Sequence, residues 1–191
     1  MNTKTESNLT AGQDHGPFPK NIASSVAARI MTLAAVGLML AVAPAKADTS
    51  LSKADSDFIL AAAQGGMTEV KLGELAAKMG TRDDVKSFGQ RMVKDHTAIN
   101  DDLKALASQK GVTVPGSLDA KHQGMVDKMT ALTGSEFDNA YIADMIKGHK
   151  KDAKAFKAES AATQDVDVKS FVDRTIPIVE EHLKVVTAMK K

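Results

Sequence analysis

The chain has 191 residues, 43% hydrophobic and 26% charged, with a formal net charge of +1, no cysteine and no tryptophan. That length suits one domain plus an appendage, and the apolar fraction is high enough to bury a core, which excludes global disorder. Near-neutrality argues against a dedicated nucleic-acid binder, and the missing cysteines exclude disulfides, thiolate metal sites, cysteine nucleophiles and a lipidated cysteine.

Residues 1–47 read as a secretory signal peptide. A polar stretch ends at Arg29, and an unbroken apolar run follows from Ile30 to Val42. As a helix that run spans only ~20 Å, too short for a hydrocarbon core of ~30 Å. Pro44 and the small-x-small triplet Ala45-Lys46-Ala47 complete the pattern and place cleavage near Ala47, leaving residues 48–191 as the exported domain. Lys4, Lys20, Arg29, Lys46, Glu6 and Asp14 leave with the leader, so the remainder carries a formal charge of −1. The location implied is the periplasm, with loose membrane association as the other option and no membrane span in the mature chain.

Helices follow in sequence. Ser52-Lys-Ala-Asp55 resembles a capping box, and good helix formers run from there to Met79, where Gly80 offers a stop. A second helix, capped by Thr81 or Asp83, runs to the loop at Gly111-Val-Thr-Val-Pro115-Gly116. A short helix is expected over about 118–132. Gly134-Ser135 then breaks the chain, with Ser135 as the cap of a third long helix. The last helix follows Thr163 and contains Pro177, which should kink it near 173–175. No sustained period-2 run argues for a sheet. Four long helices, two short turns and a crossover holding a small helix make an all-α, ferritin-like antiparallel four-helix bundle. Gly65 and Gly66, inside the first helix, allow two readings: close helix–helix approach, or room for a ligand or side chain.

The apolar seams carry the functional signal. On the last helix Val168, Val172, Thr175, Val179, His182, Val186 and Met189 step by fours and threes, so His182 points inward. The same register puts His96 on the seam of Val85, Phe88, Met92, Ile99, Leu103 and Leu106, and His149 on that of Ile142, Met145, Ala153 and Phe156. On the first helix Phe58, Ala62, Gly66, Glu69, Gly73 and Ala76 turn Glu69 inward. Counted from the two turns, Glu69 with His96, and His149 with His182, differ in height by only ~4.5 Å. His122, on the short helix, has no such register.

Buried polar groups are costly unless paired, and three imidazoles with one carboxylate can be satisfied together by one divalent transition metal: zinc, iron, manganese or copper. The core is thus expected to hold a metal ion or a small ligand, with Glu69, His96, His149 and His182 as the residues around it and Met92 and Met145 as soft auxiliaries. The alternative is a structural or interaction protein with no cofactor, its histidines forming a hydrogen-bonded core layer. Lys147, Lys150, Lys151, Lys154 and Lys157 read as a solvated face interleaved with Asp144, Asp152 and Glu159.

The segments Phe58 to Gly73, Val85 to His96, Phe137 to Tyr141 with His149, and Pro177 to His182 resemble the DUF4142 family across about residues 53–189. The resemblance implies an exported bacterial protein with a ferritin-like bundle; a part in envelope stress, with a homo-oligomer or an envelope protein as partner, is the expectation set beside it. It implies no settled activity. The family's outer-membrane label finds no support in barrel strands. Ferritin-type di-iron chemistry needs Glu-x-x-His on two helices, whereas Val93, Ile146 and Val179 stand three before the histidines here. Nucleophile-elbow, dinucleotide and phosphate-loop motifs are absent, so no catalytic residues are assigned.

Overall fold

A computed structural model describes residues 51–190. The signal peptide expected over residues 1–47 lies outside them. The described residues form five helices and no strand: α1 (Lys53–Met79), α2 (Asp83–Gln109), α3 (Ala120–Thr130), α4 (Gly134–Ala162) and α5 (Val166–Ala188). Helices α1 and α2 form one hairpin and α4 and α5 a second, with the crossover and its short α3 between them. None of these helices is long and apolar enough to cross a membrane.

Local chemistry accounts for the helix ends, though not always with the expected residue. Ser52 caps α1 as anticipated, its Oγ accepting from the Asp55 amide at 3.0 Å. Neither Thr81 nor Asp83 caps α2. The Thr81 and Arg82 amides instead donate to the carboxylate of Asp138 on α4, each at 3.0 Å, and the Thr81 hydroxyl donates to the same group. Asp138 is only 1% exposed, and this remote carboxylate fastens the α1–α2 turn, just ahead of α2, to the second hairpin. Ser135 lies within α4, whose N-cap is Thr133, and Gly134 adopts a φ of 60° where the chain turns into the helix. Asp165 caps α5 through the Asp167 and Val168 amides. Helix α5 continues through Pro177.

The seams expected for α2, α4 and α5 are buried at every position named. On the N-terminal half of α1 the register is one residue off: Ile59 and Ala63 are buried, whereas Phe58 and Ala62 are only partly covered. The core falls into two apolar clusters. One gathers Leu72, Phe88, Met92, Phe137, Tyr141 and Met145 towards the α1–α2 turn, and the other gathers Ile59, Leu103, Phe156, Phe171 and Val172 towards the α4–α5 turn. Polar side chains occupy the layer between them.

Close approach of α1 and α2 takes place at Gly73 and Gly89, not at Gly65-Gly66. A Cβ on Gly89 would stand 2.7 Å from the Gly73 carbonyl oxygen and the Ala77 amide nitrogen. Gly66 makes room for the Asn100 side chain, whose Oδ1 would lie 2.0 Å from an added Cβ. Gly89→Ala therefore has to push backbone apart. It should lower stability by about 2 kcal/mol despite alanine's better helix propensity, while Gly116→Ala, with open space around it, should change stability little. Urea unfolding of both variants measures the contrast.

Candidate metal centre

Each histidine comes from a different helix, because one seam position per helix falls at the same height. His149 and His182 are 0% exposed and His96 is 3% exposed. The rings pack against one another, with centroids 5.2 Å apart for His96 and His182, 5.4 Å for His149 and His182, and 5.7 Å for His96 and His149.

In each ring one nitrogen is engaged. His96 Nδ1 donates to Glu69 Oε2 at 3.0 Å, His182 Nε2 to Asp95 Oδ2 at 2.9 Å, and His149 Nδ1 to the Met145 carbonyl at 3.0 Å. The other three nitrogens, His96 Nε2, His149 Nε2 and His182 Nδ1, are buried without a hydrogen-bond partner. One ligand atom from each ring can be chosen so that all three lie within 4.8 Å of one another. A carboxylate or carbonyl that fixes one imidazole nitrogen leaves the opposite nitrogen oriented as a lone-pair donor, the arrangement common around metal-binding histidines.

Glu69, a predicted ligand, sits beside the rings on α1. Its Oε2 accepts from His96, and its Oε1 lies 3.6 Å from His149 Nε2. Met92 and Met145 are buried in the apolar cluster on the α1–α2 side of the layer. His122 is outside the cluster, its Nδ1 held by Asp119 Oδ1 at 2.8 Å.

Two carboxylates at the site were not anticipated. Asp95 follows the wrong face of α2 to share the core with His96, yet that face is the one α5 packs against, and Asp95 reaches His182 while also holding Arg91 at 3.3 Å. Asp152 was assigned to a solvated face. The lysines of that face are exposed, but Asp152 is half-buried and lines the same cavities as Glu69.

Burial and charge set the proton affinities. Burial alone would raise the Glu69 carboxyl, but the charge and hydrogen bond of His96, with His149 and His182 nearby, hold it at about 2. Burial beside the Glu69 carboxylate pushes Asp152 up to about 7. Burial lowers His182 to about 4, against the pull of Asp95, and lowers His149 as well. His96 moves the other way: Glu69 outweighs its burial and raises it. Of the three rings, His96 is thus the one that keeps its proton to the highest pH.

Comparison with known proteins agrees with this architecture. Residues 40–189 match the family described as Domain of unknown function (DUF4142). The chain belongs to this DUF4142 family. No curated protein matches it. Among solved structures it is similar to a DUF305 fragment from Deinococcus radiodurans, with a TM-score of 0.63 and 11% identity over 73% of this chain and 96% of that one. It is also similar to CopM in the Cu(I)-bound form, with a TM-score of 0.60 and 16% identity over 71% of this chain and 94% of that one. At these identities the likeness is one of fold, a helical bundle.

The shifts have a signed consequence for the metal-free protein. His182 binds its proton more weakly folded than unfolded, so its stabilisation is complete above pH 6.5 and is lost as the pH falls towards 4, by about 3 kcal/mol. His96 acts oppositely, stabilising below 6.5 and losing that contribution as the pH rises through its raised value. Nitrogen-15 NMR of the imidazoles should show His96 titrating above 6.5 and His182 near 4. One shared midpoint for the three rings would contradict the assignment.

Proposed function

We propose that this DUF4142 protein is an exported helical bundle that holds a single transition-metal ion on the imidazoles of His96, His149 and His182. The observation that carries the reading is the set of three buried nitrogens, one per ring, each unpartnered while its opposite nitrogen is fixed. A layer evolved only to finish a core would be expected to pair those nitrogens with one another, since an unsatisfied buried polar atom costs ~1–3 kcal/mol.

The donor set fits an ion with modest movement. Nitrogen ligands about 2.0–2.1 Å from a metal stand roughly 3.4 Å apart, so side chains now within 4.8 Å need to close by about an ångström. Three neutral imidazoles suit copper, zinc and iron, whereas manganese favours oxygen donors. The two carboxylates beside the rings, Glu69 and Asp95, offset the charge of a cation. Glu69 Oε1, next to His149 Nε2, is the side-chain oxygen placed to complete the coordination. The similarity to a bundle solved with Cu(I) makes copper the first ion to test. Export rests on the Arg29-to-Ala47 pattern of the sequence and makes the periplasm the working compartment.

Competition against chromophoric chelators for Cu(I) and Zn(II), together with direct titration of Fe(II) and Mn(II), tests the reading. One equivalent of copper or zinc should bind, and His149→Leu/His182→Leu should weaken binding at least 100-fold. Where His96 carries its proton, binding should release it, so affinity should fall as the pH drops through the raised value of that ring. A folded protein that binds none of these ions would leave the histidines as a structural layer.

A further inference from the structure

An ion held among these rings has to reach them. The apolar clusters lie above and below the layer, and on the α2–α5 side Asp95 bonds both His182 and Arg91. The wall between α1 and α4 is built differently. It contains Gly65 on α1 and Gly148 on α4, and a Cβ added at either would meet nothing within 4 Å.

Two cavities meet at this wall. The inner one, about 140 Å³, reaches His96, the ring whose unpartnered Nε2 is buried. The outer one, about 250 Å³, extends past Gly148 and Met145 to the space beneath α3. Gly65, Glu69, His122, Lys151 and Asp152 line both. Their shared rim therefore joins the exposed lysine face to the imidazole layer, and two acidic side chains, Asp152 and Glu69, stand on it. Helix α3 supplies the outer bank, where His122 is fixed by Asp119.

We propose that the gap between α1 and α4 at Gly65 and Gly148 is the passage by which a metal cation reaches and leaves the three histidines, with Asp152 the carboxylate that draws it in. This rests on the metal-holding reading above and adds the route to it. Glycine at both positions keeps the gap open, since any larger side chain would stand in it. Asp152 lies on the path, where a carboxylate lowers the energy of a cation losing its water. It is a positioning residue for transit and not one of the three imidazole ligands.

The test is the rate at which the full chain takes up Cu(I), and in parallel Zn(II), from chromophoric chelators and surrenders it to them in stopped flow. Gly65→Leu and Gly148→Leu should each slow uptake and release by tenfold or more while leaving the equilibrium affinity within about threefold. Asp152→Asn should slow uptake more than release. Gly116→Leu, outside both cavities, should match wild type. Circular dichroism identifies any variant that fails to fold, and the other glycine then decides. Wild-type rates in a folded Gly65→Leu or Gly148→Leu protein would overturn the passage and leave the metal site standing. Failure of the wild type to bind either ion would overturn both.

Discussion

Three imidazole rings buried between two apolar clusters set the terms for the rest of this bundle. An imidazole has two nitrogens, and each must be answered in a medium that offers little water. The fold answers one nitrogen per ring from three different sources: a carboxylate on α1, a carboxylate on α2 and a backbone carbonyl one turn earlier on α4. Those partners fix which way each ring faces. The packing of α2, α4 and α5 brings one nitrogen of each ring within 4.8 Å of the others, and the Glu69 carboxylate beside His96 raises that ring's proton affinity while burial lowers those of His149 and His182.

Much of this was legible in the chain. Stepping by threes and fours selected His96, His149 and His182 because a helix repeats every 3.6 residues whatever it packs against. The turn lengths then fixed their heights. What periodicity does not contain is the direction of the neighbouring helix. Asp95 and His96 do diverge by about 100°, but α5 lies across that divergence, so one residue serves the core while the other reaches His182 from the side. The same limit explains Asp152, which looks like part of a charged stripe until α1 is placed against it. It explains the entry to α2 too, since Asp138 is 56 residues from the Arg82 amide that it accepts from. Local capping preferences name the residues able to cap; they do not know when a distant carboxylate has engaged the candidate, as Asp138 engages the Thr81 hydroxyl. On α1 the seam was misread by one residue because alanines flank the true face and give the pattern little contrast.

The glycines of α1 and α2 divide into three kinds of use. Gly73 and Gly89 let two backbones touch, and Gly66 yields its side-chain volume to Asn100. Gly65 faces a cavity. The two adjacent glycines thus serve different surfaces, one turned to α2 and the other towards α4, and a single explanation for the pair would have been wrong for one of them.

The Asp138 fastening has a mechanical implication. Each hairpin is a local structure, formed by helices joined through turns of a few residues, whereas the polar layer takes Glu69, Asp95 and His96 from one hairpin and His149 and His182 from the other. Asp138 is the bolt across that seam at the turn end, and the buried rings are its counterpart at mid-height. Parting the hairpins and dismantling the layer are consequently one event. The bundle resembles a clasp whose two jaws meet at the buried rings, and the layer lasts no longer than the jaws stay shut.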